Sequence, residues 1–550
     1  MKKRLVFSLL VMGLSGIVAQ ILLLRELLII FCGNELTIGI ILANWLIIEA
    51  IGAFWVGKRV ENILHKLEGF IILQIIFSFS FPLAIYLTRT IREISGIVPG
   101  VGLGVGQVFL FSFLVIFPVS ISHGALFTYG CKILSLYLPS ETEAVGKVYI
   151  YETVGTILGG FILTYFLIPY FHSFQIVFWI ILINLMFCIL LLGKFWQKGK
   201  NILTKTLGII TSFLCFLSVV FLLNNGIDRI HNNSIARQWS KYRVKHYQNT
   251  FFGNIVVGEK DGALTFFFNG IPVVNLPTPD ITCIEEFAHF SLLSHASPQE
   301  ILIIGRGAGG VINEILKHPV TTVDYLEIDP IFLKILKNFS TPLIAQELDN
   351  PKVNTITLDG RFFLRRTEKK YDLILLGFSN PSDLQTNRYF TKEFFSLVRG
   401  RLKEEGIFVL SLPGLPRAIL NLKEIKDLNA CIFNTLKEVY TNIKVIPGEG
   451  INLFLASDSE EINLLNAQIF IERLKERKVF ASMFNPDYIK YRFQTFWHEN
   501  FFSSLKGATH RINRDFHPVA TFYSLVYWNA LFSPYLLKFF RNIENIIPFV

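Results

Sequence analysis

Three features in the second half of the chain have residue types and a spacing suited to holding a nucleoside. A Gly-Arg-Gly-Ala-Gly-Gly loop contains Gly305, Gly307 and Gly310 and directly follows the apolar run ILII. Glycine lets a ligand approach the main chain closely. Glu327 follows about 20 residues later, where an acid accepts hydrogen bonds from ribose hydroxyls, and Asp359 can accept one from an adenine amino group. A tight turn or a helix cap explains each feature alone, but together they predict a site for an adenosine-containing cofactor.

Alternating strands and helices must position these residues. Such alternation predicts a parallel sheet flanked by helices, and ligands of such sheets bind beyond the carboxyl ends of the strands. The glycine loop, Glu327 and Asp359 each end one of three successive strands, so we expect them on one edge of the sheet. The predicted strands are residues 301–305, 322–329, 353–359, 371–378, 406–414, 443–447 and 452–457, with helices near 309–318, 330–339 and 417–440.

A smaller β region precedes this sheet. Residues 240–280 contain short β-type runs separated by Asp261-Gly262 and Asn269-Gly270, and such pairs are strong hairpin signals. The predicted fold is an all-α multi-pass membrane bundle, then a Rossmann-like α/β domain of the class I methyltransferase type, preceded by a small antiparallel β subdomain. We predict the bundle at 1–225, the β subdomain at 240–280, the Rossmann-like domain at 281–460 and a helical extension at 461–550.

The first 225 residues have the composition of a membrane protein. Apolar residues make up 52% of the chain and charged residues only 17%, and the charges are scarce before residue 225. A bilayer core needs about 20 apolar residues per helix. The first segment lacks the small-residue cleavage site of a signal peptide, so we expect a retained anchor. Seven segments are long and apolar enough: residues 5–24, 36–57, 69–88, 100–121, 148–169, 174–193 and 206–224.

The basic residues give two conflicting indications of orientation. Those at 2–4, 58–66 and 194–205 fall on one side of the membrane, and the positive-inside rule predicts that this side is cytoplasmic. Seven crossings would then place the second half of the chain outside, yet that half begins with five basic residues between 229 and 245. Either one candidate helix does not span, or a further helix exists, for example near 123–139. We favour a cytoplasmic second half, because adenosine cofactors are found there.

Polar groups interrupt the apolar helices. Such groups are costly in lipid and usually face a partner or a wet cavity, so they indicate either a polar pathway or contacts between helices. They are Gln20, Arg25, Glu26, Glu35, Glu49, His123, Lys147 and Glu152.

The charge and cysteine patterns exclude other classes of protein. The formal net charge is +10, but basic residues such as Lys58, Lys194, Lys198 and Lys200 flank apolar segments rather than clustering with aromatics, which argues against nucleic-acid binding. The six cysteines form no CxxC pair, so no zinc site or disulfide framework is indicated. We predict no metal.

Two cofactor classes fit the three features. A nicotinamide enzyme would place a pyrophosphate on the glycine loop. An S-adenosylmethionine-type enzyme would place the amino-acid or aminopropyl portion there, with Glu327 on the ribose and Asp359 on the adenine. The acid at the end of the third strand favours the second class.

The order of these motifs resembles that of spermidine synthases. The resemblance covers residues 249–414, and it is carried by EEFAHF, ILIIGRGAGG, VDYLEIDP, LDGRFFL, YDLILLGFSNPSD and NRYFTKEFF. The hydrophobic amino-terminal half, with RELL and GNELTIGIILANW, and the later INRDFHP look like the membrane-fused bacterial spermidine synthase-like proteins. The resemblance implies a bacterial inner-membrane protein that binds decarboxylated S-adenosylmethionine and transfers an aminopropyl group to an amine.

This chain departs from the family on the polyamine side of the site. The family's D-x-x-D-P pattern, whose acids would accept the amine proton, is replaced by a segment from Gly377 to Asn380-Pro381. Ala308 stands where the family has an acid in the glycine loop. Cys283-Ile284 replaces the family's Tyr-His pair, although the following Glu285 is retained.

The nucleoside side is thus kept while the polyamine side is largely replaced. Asp383 is the nearest remaining carboxylate, and it is either a substitute base or a helix cap.

These observations predict a membrane-anchored transferase of the spermidine synthase-like family. The cosubstrate would be decarboxylated S-adenosylmethionine or S-adenosylmethionine, and the partners would be membrane lipid and a small-molecule or membrane-delivered acceptor, with no nucleic acid. The alternatives are an S-adenosylmethionine-dependent methyltransferase and a non-catalytic nucleoside-binding sensor or transporter.

Overall fold

The computed structural model describes residues 2–60, 65–198, 202–414 and 423–546. The chain divides into two compact units, residues 1–260 with 267–271 and residues 261–266 with 272–550. Lys200 and the first residues of the helix predicted at 417–440 lie outside the described residues.

The first unit is mainly helical. Within its described residues, seven helices are long and apolar enough to cross a membrane, which is compatible with the predicted insertion. Short π-helical turns at Gly52–Val56 and Leu163–Leu167 directly follow the helices that end at Ile51 and Ile162. The helices are α1 (Lys2–Phe31), α2 (Glu35–Ile51), α3 (Gly57–Val60), α4 (Lys66–Ser95), α5 (Val105–Ser135), α6 (Glu141–Ile162), α7 (Ser173–Lys198), α8 (Ile202–Leu223) and α9 (Gly226–Gln238).

The further helix considered near 123–139 is absent as a separate element. Residues 105–135 form the single helix α5, with Pro118 inside it. The apolar first half of α5 is long enough for one span, and the second half carries His123 and Lys132. The sequence pattern therefore predicted two separate segments here. The number of candidate spans among the described residues therefore stays odd.

Glycines let the membrane helices approach one another closely. A Cβ added to Gly13 of α1 would lie 2.0 Å from the Glu152 carbonyl oxygen of α6, and one added to Gly155 would lie 1.9 Å from the Leu10 carbonyl oxygen of α1. Gly124 of α5 stands against the Glu49 carbonyl oxygen of α2 in the same way, at 2.0 Å. Lipid supplies little hydrophobic drive between helices, so close packing at small residues must hold them together.

A buried ion pair joins α1 to α4. Arg89 donates from Nε and Nη2 to the two carboxylate oxygens of Glu26, at 2.8 and 2.7 Å. The Ser173 hydroxyl of α7 donates to the same carboxylate at 2.6 Å. Both charged side chains are almost inaccessible to solvent. Of the polar groups found in the sequence, Glu26 therefore serves as a contact between helices.

A four-stranded sheet follows α9. Asp261 and Gly262 both have positive φ angles (51° and 82°), as do Asn269 and Gly270 (49° and 81°). Two successive positive φ angles are the mark of type I′ hairpin turns, so the hairpin signals in the sequence are confirmed. The strands are β1 (Arg243–Asn249), β2 (Asn254–Lys260), β3 (Ala263–Phe268) and β4 (Ile271–Leu276), in the spatial order β1-β2-β3-β4.

The second unit is built on a seven-stranded sheet. Its strands are β5 (Glu300–Ile304), β6 (Thr322–Leu326), β7 (Val353–Ile356), β8 (Tyr371–Leu376), β9 (Leu402–Pro413), β10 (Asn442–Ile446) and β11 (Ile451–Ser457), in the order β10-β11-β9-β8-β5-β6-β7. The strands from β5 to β9 pair in parallel, and β8 is buried along its whole length, as expected for a strand covered on both faces.

The prediction of a parallel sheet is wrong for the last two strands. β11 pairs antiparallel with β9, and β10 pairs antiparallel with β11, so the sheet is mixed. The connection between β10 and β11 is too short for the crossover that parallel neighbours require, so these strands form a hairpin.

Helices cover the sheet and fill the carboxyl-terminal part of the described chain. The helix predicted at 417–440 is described from Lys423. The helices are α10 (Ile281–Ser294), α11 (Val311–Leu316), α12 (Pro330–Asn338), α13 (Pro342–Leu348), α14 (Gly360–Arg366), α15 (Leu384–Asn387), α16 (Lys392–Arg399), α17 (Lys423–Lys437), α18 (Glu461–Leu464), α19 (Ala467–Glu476), α20 (Pro486–Arg492), α21 (Thr495–Leu505), α22 (Val519–Phe532) and α23 (Leu537–Ile546).

Candidate functional site

Main-chain hydrogen bonds place the three predicted features side by side on one edge of the sheet. The Gly305 N–H donates to the Leu326 carbonyl oxygen at 2.9 Å, and the Glu327 N–H donates to the Ile356 carbonyl oxygen at 3.1 Å. Strands β5, β6 and β7 are parallel neighbours. The glycine loop, Glu327 and Asp359 therefore follow the carboxyl ends of three adjacent strands, as the sequence predicted.

Two kinds of constraint require glycine in the loop. Gly305, Gly309 and Gly310 have φ angles of 71°, 99° and 129°, which other residues rarely adopt. Gly307 is needed for space instead, because a Cβ there would lie 2.9 Å from the Tyr325 ring.

A buried carboxylate already occupies part of the glycine loop. Glu347 of α13 accepts hydrogen bonds from the N–H groups of Gly309 (2.7 Å), Gly310 (2.7 Å) and Asn313 (3.1 Å). Burial raises the pKa of Glu347 to about 7, although the three hydrogen bonds act in the opposite direction. The Gly310 amide is thus engaged within the protein, and the role predicted for Gly310 in cofactor binding stays a prediction.

Glu327 keeps free acceptor capacity at the end of β6. It is half-buried and accepts hydrogen bonds from the Tyr325 hydroxyl and the Asp329 N–H, both at 3.2 Å. Burial raises the pKa of its carboxyl. A carboxylate has about four lone-pair positions, so Glu327 can still accept hydrogen bonds from a vicinal diol.

Asp359 is more fully engaged than the sequence suggested. Its carboxylate caps α14 by accepting from the Phe362 N–H at 3.0 Å. It also accepts from the Tyr389 hydroxyl at 3.0 Å and forms an ion pair with Arg388. A ligand amino group that donates to Asp359 would have to share the carboxylate with Arg388 or displace it.

An aromatic pair and an arginine border the glycine loop. The Phe378 ring stacks on the Tyr389 ring, with a centroid separation of 5.3 Å, and would touch any side chain placed at Gly305. The Arg306 guanidinium lies 5.9 Å from the Phe378 ring centroid. Arg306 is exposed and has a φ of 45°. Asp383 and Glu327 are the carboxylates whose charges act on its guanidinium. Arg306 was not among the predicted site residues, although it stands inside the glycine motif.

The edge that follows β8 has little room for catalytic acids. A Cβ at Gly377 would lie 1.9 Å from the Gly305 carbonyl oxygen, so no side chain fits there. Asn380 accepts a hydrogen bond from the Ser524 hydroxyl of α22 at 2.9 Å. Asp383 caps α15, accepting from the Thr386 N–H at 2.8 Å. The cap was the alternative role considered for Asp383, and its role as a base stays a prediction.

Glu285 belongs to a buried network behind the glycine loop. Its carboxylate accepts hydrogen bonds from three consecutive N–H groups, those of residues 482–484, at 2.6 to 2.9 Å. One of its oxygens, a His289 nitrogen and a Glu314 oxygen lie within 4.8 Å of one another, a donor set that divalent metals accept. His289 in turn contacts His318 at 3.0 Å and Glu314 at 3.1 Å, and burial lowers the pKa of His318 to about 2. The Glu285 carboxylate is thus satisfied by main-chain groups, whereas His289 Nε2 and one oxygen of Glu314 are buried without a hydrogen bond of good geometry among the described residues.

Comparisons with known proteins match the second unit. A family model described as Spermine/spermidine synthase domain matches residues 282–466. A polyamine aminopropyltransferase of Bacillus subtilis is 32% identical over 210 residues, which are 37% of this chain and 74% of that protein. One from Methanocaldococcus jannaschii is 38% identical over 126 residues, 23% of this chain and 42% of that protein. The crystal structure of spermidine synthase from Thermotoga maritima is 19% identical, covers 48% of this chain and 88% of its own, and gives a TM-score of 0.39.

The class of the second unit follows from the family model and the Bacillus subtilis relative, together with the layers of its fold. It is an α/β domain of the aminopropyltransferase type, with a mixed sheet preceded by a small antiparallel sheet. The chain belongs to the spermidine synthase-like family of polyamine aminopropyltransferases.

Proposed function

We propose that this protein is a membrane-embedded transferase that takes its transferred group from an S-adenosylmethionine-type nucleoside. One observation carries the proposal: the glycine loop, Glu327 and Asp359 follow the carboxyl ends of three adjacent parallel strands. Ligands of such sheets bind at this edge. The seven apolar helices of the first unit would hold the enzyme in lipid.

Each feature offers a distinct part of a nucleoside pocket. Glu327 would accept hydrogen bonds from the two ribose hydroxyls, and Asp359 one from the adenine amino group after Arg388 moves aside. The loop at Gly305 and Gly307 would lie along the amino-acid or aminopropyl portion, beside the Phe378 ring.

The acceptor is proposed to differ from a free polyamine bound in the family's usual way. In aminopropyl transfer, the acceptor nitrogen attacks the methylene carbon beside the sulfonium, the C–S bond breaks, methylthioadenosine leaves and the nitrogen loses one proton. That proton needs an acceptor, but Gly377 has no room for an acid and Asn380 is neutral. Asp383 is the candidate base that remains near this edge. The fused helices favour a lipid-linked or membrane-delivered acceptor.

Arg306 favours a second candidate, methyl transfer from intact S-adenosylmethionine. Its exposed guanidinium stands in the glycine loop beside the Phe378 ring, where Asp383 and Glu327 are the carboxylates that act on it. Intact S-adenosylmethionine carries a carboxylate that a guanidinium binds well, whereas the decarboxylated form has only the amine. Methyl transfer can proceed by positioning alone, so it tolerates the loss of acids near Gly377.

Calorimetry on the full-length protein in detergent micelles tests the nucleoside site. We expect decarboxylated S-adenosylmethionine or S-adenosylmethionine to bind, and methylthioadenosine to bind more weakly. Asp359→Asn and Glu327→Gln should each weaken binding about 10- to 100-fold, the effect of losing a hydrogen bond to a charged group. Asp487→Asn, a matched change at an exposed carboxylate of the same unit, should leave it unchanged.

The preferred donor separates the two candidates. Tighter binding of the decarboxylated form supports aminopropyl transfer, and tighter binding of S-adenosylmethionine supports methyl transfer. If the folded protein binds none of the three nucleosides, the proposed function is wrong. Aminopropylation of free putrescine by the purified protein would overturn the proposal for the acceptor alone.

The side of the membrane that holds the second unit is a separate proposal. We propose the cytoplasmic side, where adenosine donors are made. With seven spans the amino terminus would then lie outside, against the preference of the basic residues at 2–4. A fluorescent protein fused to the carboxyl terminus should fold and fluoresce if that end is cytoplasmic. Activity of alkaline phosphatase fused at the same point would place it outside and overturn the proposal.

A further inference from the structure

Three ionisable side chains from three helices meet inside the bundle. His123 of α5 contacts Glu49 of α2, with 2.6 Å between Nδ1 and Oε1. Its other ring nitrogen, Nε2, lies 3.9 Å from Oε1 of Glu152 of α6. The Trp45 indole N–H donates to the second oxygen of Glu49 at 3.0 Å, which fixes that carboxylate in place. The two sides of the imidazole therefore face two different carboxylates.

The imidazole is enclosed, and no side chain among the described residues forms a hydrogen bond with its Nε2 atom. Only 6% of the His123 side chain is exposed, and the main chain of Met12 in α1 is a polar group near that side of the ring. Gly16 of α1 packs directly against Nε2, where a Cβ would lie 2.2 Å away. Phe77 of α4 covers the ring at a centroid distance of 5.7 Å, and Trp45 at 6.2 Å. These contacts from α1 and α4 bring no charge, and among the described residues Glu49 and Glu152 are the titratable groups that face the ring.

The charges of this cluster are unbalanced. With His123 protonated and both glutamates ionised, the group carries one net negative charge. A net charge inside a membrane bundle is costly, so such groups pair or take up a counter-charge. One additional proton neutralises the cluster and needs no more space than the 3.9 Å gap between Nε2 and Glu152.

A cavity between α5 and α6 lies on one side of this cluster, and its lining ends at Phe127, one helical turn from His123. It has a volume of about 200 Å³. His123, Phe127 and Cys131 are spaced four residues apart, so they share one face of α5, and the cavity lies along this face. It is lined by Phe127, Thr128, Cys131, Lys132, Ser135, Glu141 and Val145.

The mouth of the cavity lies at the end of the bundle where the chain begins. Gly155 of α6 packs on Leu10 of α1, and Gly159 packs on Leu14, so the two helices run parallel. Glu141 at the start of α6 is therefore level with the start of α1. There it pairs with Lys132 at 3.2 Å, a polar contact at the entrance.

We propose that Glu49, His123 and Glu152 form a proton-binding site inside the bundle, loaded through the cavity between α5 and α6. The additional proton binds the Glu152 carboxylate, 3.9 Å from Nε2 of His123, and exchanges with solvent at the face where the chain begins. This inference is independent of the proposed transferase activity. The helices would then bind and release a proton in addition to anchoring the protein in the membrane.

Infrared spectroscopy of the full-length protein in lipid vesicles tests the site. A protonated carboxyl has a carbonyl stretch that a carboxylate lacks, and we expect this band to grow as the pH is lowered. Glu152→Gln should abolish the cluster's share of the band, whereas Glu93→Gln, the same change at an exposed end of α4, should retain it. If wild type shows no titrating carboxyl band, or if Glu152→Gln leaves the band unchanged, the proposal is wrong.

Two further variants keep the test decisive if Glu152→Gln does not fold. Glu152→Asp retains the carboxyl and should shift the frequency of the band, and an unshifted band would contradict the assignment. Val145→Trp fills the cavity and should slow deuterium exchange of the band at least about tenfold, because an intramembrane group exchanges only through a wet path. An unchanged exchange rate in Val145→Trp would overturn the proposed entry route.

Discussion

Replacing Glu347 by glutamine should alter how the stability of the second unit depends on pH. The carboxylate is fully buried and accepts hydrogen bonds from three backbone N–H groups, two of which belong to the glycine loop. Glutamine keeps the shape and one acceptor oxygen, as a protonated glutamate does, but it cannot ionise. The substitution therefore removes one titration and conserves most of the packing.

The magnitude follows from the raised pKa. In the folded state the pKa of Glu347 is about 7, against an ordinary value of 4.5. Between these two pH values the folded chain holds a proton that the unfolded chain has released, so the free energy of unfolding falls as the pH rises. At about 1.4 kcal/mol per pH unit, wild type loses about 3 kcal/mol across this window. Glu347→Gln should be free of this loss.

Urea unfolding of the full-length protein in detergent at pH 4.5, 6 and 8 measures the effect. The difference in unfolding free energy between Glu347→Gln and wild type should move by about 3 kcal/mol in favour of the variant from pH 4.5 to pH 8. Asp487→Asn, at an exposed carboxylate, should show no such trend. A difference that stays constant, or moves in favour of wild type, would mean that the three hydrogen bonds outweigh burial, and the reasoning would be refuted.

Three further substitutions test packing and pairing elsewhere. Gly309→Ala should cost about 1–3 kcal/mol in urea unfolding, because φ is 99° and a Cβ would lie 2.7 Å from the Val274 side chain, whereas Gly450→Ala, in open space, should be neutral. Gly155→Ala should lower the thermal unfolding temperature in detergent, because its Cβ would meet α1 at 1.9 Å, and an effect no larger than that of Gly146→Ala would contradict the packing. Asp515→Asn should destabilise the second unit by about 1–3 kcal/mol in urea, because it breaks a two-fold contact with an arginine of α14, at 2.7 and 2.8 Å, and an unchanged midpoint would argue against that contact.

Local patterns in the sequence predicted most of the fold. The strands of the large sheet are short apolar runs, and the hairpins of the small sheet are marked by Asx-Gly pairs, so both signals lie within a few residues. The sequence predicted a shorter span for helix α5, because the polar residues of its second half interrupt the apolar run. The antiparallel pairing of β10 and β11 was missed because the parallel pattern expected of alternating strands and helices was also applied to the last two strands, which have no helix between them.

The candidate site was predictable only where its residues follow strands. The positions after β5, β6 and β7 could be placed on one edge from topology alone. Glu347 could not be found, because it reaches the glycine loop from 37 residues away and no motif marks it. The partners of Asp359 and Asn380 likewise depend on tertiary contacts. In the bundle, Glu49, His123 and Glu152 were singled out separately, but only the helix packing shows that they meet.

The ion pair between α1 and α4 has a consequence for how the protein is made. Glu26 emerges from the ribosome 63 residues before Arg89, the charge that neutralises it. Released alone into lipid, α1 would carry an uncompensated carboxylate, and α4 would carry an uncompensated guanidinium. We therefore expect α1 to wait beside the insertion machinery until α4 arrives and the two helices leave as a pair. The order of synthesis, and not only the final contacts, would then decide whether this bundle assembles.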